Sequence, residues 1–366
     1  MDPALLTNAD FWHDPAPFAA ADIPDLPELR GHVLFQTSGT SGPPKWIALS
    51  KAALLTSAGA VNRHLSVTPA SCWGLALPPH HVGGFGVAAR AYAAGCAFRD
   101  FGRPWDAEAF ATWLAENQVT HTSLVPTQVH DLVSEKIPAP SSLHAIVVGG
   151  GHLSGETGRA ARALGWPVLA SYGMTEAASQ IATQGLESLG GIYQPAPIPL
   201  LPIWQARLSP EGKLRIAGPA LFSGTLICES GTWTYHQRTS EWHETSDLAE
   251  LGNSCITPLG RADSRVKVLG ELVDLEAIEQ ELAALSEGEL TPGSFAVIAI
   301  PDARAEHVLV PVFDASTDET AIHLGLTEYA RKAPGFRRLR PAVMLEDFPK
   351  SPLGKPRRSE IAARIS

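Results

Sequence analysis

Nine residues near the front of the chain, Thr37-Ser38-Gly39-Thr40-Ser41-Gly42-Pro43-Pro44-Lys45, have the composition of a polyphosphate cradle. Glycines let backbone N–H groups approach phosphate oxygens, while the hydroxyls and Lys45 supply further donors. The segment is not a Walker loop, which needs four residues between its first glycine and the Gly-Lys pair; Gly39 and Gly42 stand too close. By itself such a segment reads more often as a polar turn. A second store of positive charge lies between Arg331 and Arg358, where nine Lys/Arg face only Glu346 and Asp347. Alone, that cluster reads as a solvated basic face. A third feature is Leu77-Pro-Pro-His-His-Val-Gly-Gly84, followed nine residues after His81 by Arg90 on a stretch otherwise rich in Gly, Ala and Val. A charged residue on an apolar helix either snorkels to solvent or meets an anion.

The surrounding patterns say what must position these residues. Val33–Gln36 is a strand candidate, and beyond the Ser/Thr/Gly loop Ser50 can cap a helix running to about Leu65. Strand-like runs follow at Trp73–Leu77, Cys96–Phe101, Thr122–Val125, Ala145–Val148 and Val168–Ser171, with helical patterns between them at Val82–Ala94, Ala107–Asn117 and Ser154–Leu164. The alternation predicts βα units around a largely parallel sheet with ligands at the strand ends. From Gly191 to Gly260 the texture turns to Pro, Gly and short β-like runs such as Lys213–Ala217, which suggests a small antiparallel subdomain. Beyond Gly260, Asp274 precedes the helical pattern Leu275, Ile278, Leu282, Leu285. Strands at Phe295–Ile300, His307–Phe313 and Ala342–Leu345 and a helix near Glu319–Lys332 complete a compact α+β domain.

Composition narrows the function classes. A 366-residue chain with 45% hydrophobic and 18% charged residues has material for two domains, each with a core. The formal net charge of −10 argues against wrapping nucleic acid, so an anionic ligand must be met by local cations and backbone N–H groups. Cys72, Cys96, Cys228 and Cys255 are scattered without CxxC or metal-ligand spacing, which predicts free thiols. The front, Met1-Asp-Pro-Ala, lacks the pattern of a signal peptide, and no apolar run reaches membrane-spanning length. A cytoplasmic protein without membrane or nucleic-acid partners is the expectation.

The phosphate-cradle segment resembles that of the acyl-adenylate-forming (AMP-binding) superfamily of acyl- and aryl-CoA ligases, adenylation domains and luciferases. The resemblance continues in order. Tyr172-Gly173-Met174-Thr175-Glu176 is similar to that family's adenine and metal motif, Thr245-Ser246-Asp247 to its Thr-Gly-Asp, and Gly260-Arg261-Ala262-Asp263 to its hinge. Lys267–Glu279 is similar to the opening of its C-terminal domain, and Pro349-Lys-Ser-Pro-Leu-Gly-Lys355 to its catalytic-lysine loop. The resemblance implies an α/β fold: a large N-terminal domain (1–262) of βα units with a small β subdomain, and a mobile α+β C-terminal domain (263–366). It implies ATP and Mg2+, with CoA as co-substrate. Lys355 would bridge the charges of carboxylate and α-phosphate. Glu176 would hold Mg2+ through hard oxygens, and Thr175 would donate to the α-phosphate. Asp247 would accept from the ribose hydroxyls with Arg261 nearby, the alternative for these two being a structural ion pair. Gly149-Gly150-Gly151 would lie along adenine, with a tight turn as the plain alternative. Asp263 would be the hinge about which the domain rotates, after which Gly270-Glu271 would reach the site for thioester formation.

For the acid, the resemblance is nearest to the o-succinylbenzoate–CoA ligases of menaquinone biosynthesis. It matches His81 to the histidine lining the acyl pocket and extends to Ser179-Gln180 after the Tyr-Gly-Met-Thr-Glu motif. Arg90 could pair with the unreactive carboxylate of a diacid. Ser179 and Gln180 could donate to polar substrate groups or serve packing at a helix start. The chain departs from the family at Ser246 and Trp46, where glycine is usual, and its phosphate loop begins only 36 residues in, implying a reduced N-terminal subdomain. Three functional readings follow: a CoA ligase, most specifically for o-succinylbenzoate; an adenylating enzyme that passes its acyl group to a carrier protein or amine; and a non-catalytic nucleotide-binding relative. The resemblance also leaves room for a homodimer.

Overall fold

The computed structural model describes residues 2–37, 45–286, 289–291, 293–302, 304–351 and 354–365, with only the backbone of Asp263. Ser38, Gly39, Thr40, Ser41 and Gly42 therefore lie outside the described residues. Contacts divide the chain into two units: Met1–Thr245 with Glu250–Pro258, and Ser246–Ala249 with Leu259–Ser366.

The first unit opens with a 3-10 turn (Pro3–Thr7), α1 (Ala9–His13), β1 (Phe18–Ala19), β2 (His32–Thr37), β3 (Lys45–Ser50) and α2 (Lys51–His64). Ser50 caps α2 as expected, its hydroxyl accepting from the Ala53 N–H. The sequence pattern predicts that the phosphate segment leads into this helix, and the structure differs. A six-residue strand intervenes, and β2 and β3 form an antiparallel hairpin with Thr37 paired to Lys45. Residues 46–49 form a continuous buried run (Trp46, Ile47, Ala48, Leu49), so they show no alternation that would mark a strand.

Next come β4 (Cys72–Leu75), α3 (Val82–Ala94), β5 (Ala97–Asp100), α4 (Ala107–Glu116), β6 (His121–Leu124), α5 (Pro126–Ser134), β7 (Ala145–Val148), α6 (Gly155–Ala163), β8 (Val168–Met174) and β9 (Ser179–Thr183). They build a six-stranded sheet of order β5-β4-β6-β7-β8-β9, parallel except for the last, antiparallel pair. β4, β6 and β7 are buried at every residue, as strands covered on both faces are. The Pro/Gly-rich region supplies β10 (Ile198–Pro199), β11 (Gln205–Leu208), β12 (Lys213–Ala217), β13 (Gly224–Glu229), β14 (Thr232–Gln237), β15 (His243–Gly252) and β16 (Cys255–Arg261). Five of these form a sheet of order β10-β16-β15-β12-β11, and the division between units runs through β15 and β16. The other two extend the hairpin into a sheet of order β1-β2-β3-β13-β14.

The second unit continues with β17 (Arg265–Val268), β18 (Glu271–Asp274), α7 (Leu275–Leu285), β19 (Phe295–Asp302), β20 (Glu306–Asp314), α8 (Glu319–Lys332), β21 (Val343–Leu345) and α9 (Arg358–Ile365). Asp274 caps α7, accepting from Glu276 and Ala277 N–H groups. Strand alternation sorts the core. Phe295 and Val297 face Ile278, Leu282 and Tyr329, whereas Ala296 and Ile298 face Phe348 and Ile361. Arg358 Nη2 donates to Glu279 Oε2 at 2.6 Å and ties α9 to α7. Among the described residues no helix is long and apolar enough to cross a membrane.

Candidate functional site

In the first unit the motif residues gather where β6, β7 and β8 end. Gly149-Gly150-Gly151 follow β7 directly. A methyl group on Gly149 would lie 3.7 Å from the Ser171 carbonyl oxygen of β8, and one on Gly151 would lie 3.3 Å from Pro126 Cγ, just past β6. Tyr172 and Gly173 close β8, and Thr175 and Glu176 form a 3-10 turn before the chain reverses into β9. Gly173 is the tightest point. A Cβ there would sit 1.6 Å from the Ser179 carbonyl oxygen, so only glycine lets the two strands meet at the bulge between Tyr172 and Gly173.

The hairpin joins this region through β13. Ile227 pairs with Lys45 and Gly224 with Ala48. Two residues before β13, the Phe222 N–H donates to the Glu176 carbonyl oxygen at 2.8 Å. The residues flanking the phosphate segment and the Thr175-Glu176 turn thus share one scaffold. Thr37 Oγ1 donates to the Lys45 carbonyl oxygen, and Lys45 is exposed. Among the described residues no group of three His, Cys, Asp or Glu side chains gathers as a metal centre.

His81 and Arg90 share α3. His81 is the helix N-cap residue, and its Nε2 is buried without a hydrogen-bond partner among the described residues. Burial pushes its pKa down to about 4, the adjacent His80 adding to the effect, so the ring is neutral at pH 7. Gly84 permits the turn before it, since a Cβ there would fall 2.3 Å from the Pro78 carbonyl oxygen. Arg90 is 2% exposed, which removes the snorkelling alternative. Its guanidinium donates from Nη1 to Ser123 Oγ at 3.0 Å and lies over the Trp73 ring. Asn62 braces both, donating to the Arg90 carbonyl oxygen and accepting from Trp73 Nε1. Burial lowers the Arg90 pKa to about 9, still well above neutral.

Ser179 and Gln180 lie on a strand rather than at a helix start, because the chain turns through Ala178 and Ser179, both at positive φ, straight into β9. Gln180 is buried, donates from Nε2 to Ser171 Oγ and Thr183 Oγ1, and keeps a buried Oε1 without partner among the described residues. Gly86 of α3 faces both Arg90 Nη2 and Ser179 Cβ, so α3 and the start of β9 approach each other there.

The second unit gathers a different set. Asp247 Oδ1 and Arg261 Nη1 stand 3.5 Å apart as an ion pair. Lys355 follows Gly354 in a turn closed by two bonds: Ser351 N–H to the Lys355 carbonyl oxygen, and Lys355 N–H to Ser351 Oγ. Desolvation of its ammonium lowers the Lys355 pKa most; Glu276 and Asp247 raise it, while Arg261 and Arg358 lower it. The residue is exposed, so solvent screens part of this shift. Gly270 forms the turn between β17 and β18, its N–H donating to Glu306 Oε1 at 3.1 Å. The side chain of Asp263 lies outside the described residues. Of the nine basic residues between 331 and 358, Arg331, Arg337, Lys350, Arg357 and Arg358 are paired with carboxylates. Arg338 and Arg340 are exposed and flank Leu339, which bridges to Leu309 of β20.

The pattern of the family described as AMP-binding enzyme matches residues 19–225. The chain belongs to that family. Among curated proteins, it is 27% identical over 335 residues to a 2-succinylbenzoate–CoA ligase of Enterococcus faecalis, covering 88% of this chain and 67% of that one. It is 29% identical over 293 residues to the Escherichia coli protein of the same name, covering 79% and 59%. The chain thus spans between 59% and 67% of the length of these two relatives. Among solved structures, o-succinylbenzoate CoA synthetase (MenE) from Bacillus subtilis, in complex with the acyl-adenylate intermediate OSB-AMP, superposes with a TM-score of 0.73 at 23% identity. That match covers 90% of this chain and 68% of the other, and it establishes the fold. The family match covers the phosphate segment, the Gly149–Gly151 turn and the Tyr172–Glu176 run.

Proposed function

We propose that the protein activates a carboxylic acid with ATP as an acyl-adenylate and transfers the acyl group to CoA, with o-succinylbenzoate as the acid. The observation that carries the adenylation reading is the common scaffold joining Lys45, the Gly149–Gly151 turn and Thr175-Glu176 through β13 and the ends of the parallel strands. In this reading Thr37, Lys45 and the residues between them hold the β- and γ-phosphates, and Gly149–Gly151, Tyr172 and Gly173 frame the adenine. Thr175 donates to the α-phosphate, and Glu176 supplies oxygens to Mg2+ carried by the nucleotide. Asp247 accepts from the ribose with Arg261 beside it, and Lys355 neutralises the charge that builds up as carboxylate and phosphate approach. In the same reading the functional boundary falls at 262/263, with Asp263 as hinge, and Gly270 enters the site for the second half-reaction.

The acid reading rests on Arg90. A buried guanidinium whose only side-chain hydrogen bond among the described residues goes to a serine hydroxyl supports a carboxylate-binding role. Neutral His81, with a buried Nε2, and Gln180, with a buried amide, suit the uncharged part of an aromatic keto-diacid. Arg338 and Arg340 suit an acceptor that carries phosphate. The deciding experiment is pyrophosphate exchange with a panel of acids that includes o-succinylbenzoate, followed by product analysis with and without CoA. ATP binding without exchange for every acid would overturn the ligase reading. Exchange without a CoA thioester would redirect the second step to a carrier protein or amine.

A further inference from the structure

The segment before β2 has no part in the reading above, yet its contacts are concentrated on the helix that carries His81 and Arg90. Trp12 stacks on Tyr92 with ring centroids 5.4 Å apart and meets Phe85 edge-on at 5.9 Å. Phe11 also meets Phe85, at 6.1 Å. Phe85 lies one helical turn after His81, and Tyr92 lies two residues after Arg90, so the two aromatic contacts bracket the candidate acid-binding stretch of α3. Phe85 in turn packs edge-on against Phe35 of β2 at 5.2 Å, which links the helix to the hairpin.

One buried lysine closes this arrangement. Lys51, the first residue of α2, directs its ammonium to the carbonyl oxygens of Phe11 at 2.6 Å and Asp14 at 2.7 Å, with the Phe11 ring 4.4 Å from Nζ. Its backbone N–H donates to the Gly31 carbonyl oxygen, and the Gly31 N–H donates to that of Pro15. The result is a closed ring of hydrogen bonds joining the N-terminal segment, the turn into β2 and the start of α2. An ammonium with a four-carbon stem is suited to this: it reaches two carbonyl oxygens at once from a buried root.

We propose that Lys51 is a positioning residue for the acid-binding helix: by fastening Phe11 and Asp14 it holds the Phe11–Trp12 pair against Phe85 and Tyr92, and so sets where His81 and Arg90 stand. The proposal rests on the acid-site reading given above, and it concerns placement rather than contact with substrate. Lys51→Met keeps most of the stem and removes the donors, while Lys51→Arg restores donors and charge.

The test measures exchange kinetics and amide hydrogen exchange on the full chain. In Lys51→Met, KM for the acid rises about tenfold while KM for ATP stays within about twofold, and Lys51→Arg recovers most of the difference, as expected for a displaced binding group. Protection of the amides of residues 85–94 falls, and that of α4 and α6 is unchanged. If KM rises equally for acid and ATP, or if protection is lost evenly across the unit or not at all, the proposal is overturned. If the wild-type protein exchanges pyrophosphate with no acid, the acid-site reading fails, and the amide measurement alone decides whether Lys51 holds α3. Should Lys51→Met not fold, Trp12→Leu tests the same coupling by the same two readouts.

Discussion

The guanidinium of Arg90 lies 5.1 Å from the centre of the Trp73 ring, a cation held on an aromatic face with 2% of the residue exposed. Cation–π attraction and one serine hydroxyl compensate only part of the desolvation of a buried charge. Arg90→Met is therefore expected to leave the melting temperature unchanged or raise it by a few degrees, because replacing an uncompensated ion by an apolar chain is often stabilising. The same variant should raise KM for a diacid roughly 10- to 100-fold, on the scale of a lost charged hydrogen bond, and leave a matching monoacid nearly unaffected. Thermal unfolding and exchange kinetics on the two acids measure both halves. An equal rise for both acids would remove Arg90 from the pocket.

In the proposed mechanism Lys355 serves only the first of the two chemical steps. Lys355→Ala should abolish pyrophosphate exchange yet leave thioester formation from supplied acyl-adenylate within a few-fold of wild type, since the charge it neutralises exists only in the first step. Equal loss of both activities would contradict this division.

Gly173 has a sharper structural requirement than any other motif residue described. Gly173→Ala must displace the Ser179 backbone, because the added carbon would fall 1.6 Å from its carbonyl oxygen. A loss of stability above about 2 kcal/mol in urea unfolding, with nucleotide binding abolished, is expected. Gly190, which has open space around its Cβ position, is the control and should accept alanine without effect.

Acid should weaken the fold through His121. This ring is buried between Trp73 and His144, its Nδ1 bonded to the Thr120 hydroxyl, and burial pushes its pKa down to about 4 from 6.5. Below pH 6.5 the unfolded chain takes up a proton that the folded one refuses, so stability falls as pH drops from 6.5 toward 4. The slope from this one group is about 1.4 kcal/mol per pH unit. Urea unfolding at pH 7 and pH 5 should show the loss, and His121→Gln should reduce it. An unchanged slope in that variant would assign the acid sensitivity elsewhere.

If the acceptor is CoA, the exposed guanidinium groups of Arg338 and Arg340 offer a place for its 3′-phosphate. The double variant Arg338→Ala/Arg340→Ala should lose most of the preference for CoA over 3′-dephospho-CoA, with exchange unaffected. A preference equal to that of wild type would clear both residues.

Much of this architecture is legible in local pattern. Ser50 and Asp274 announce the helices they cap, and the four-residue run Ala145–Val148 is a strand end to end, because capping and burial are decided by neighbours in the chain. What escapes is set by distant partners. β3 reads as an ambiguous apolar run because its second neighbour, β13, lies nearly two hundred residues away. α5 is missed because Pro126–Ser134 buries only Val129 and Leu132 as an apolar stripe after its opening proline. Ser179 and Gln180 are misplaced because two consecutive positive-φ residues make the reversal into β9 without a glycine. At the site, residue types were readable from motif order, whereas the isolation of Arg90 from solvent and the role of Lys51 depend on packing between segments far apart in the chain.

The pairing of Thr37 with Lys45 has a bearing on how this protein could be altered. Strand pairing holds the two ends of the intervening heptapeptide together, and buried Leu34, Trp46, Ala48 and Leu226 fix the register beneath them. Ring closure is therefore settled when the sheet forms, not when a nucleotide arrives, and doubling the insert's length would cost only about 0.6 kcal/mol in closure entropy. The paired strands are a socket whose register does not depend on the segment they flank. Loops of other lengths and donor chemistry could be grafted between Thr37 and Lys45, and the scaffold would fold regardless of what the graft binds.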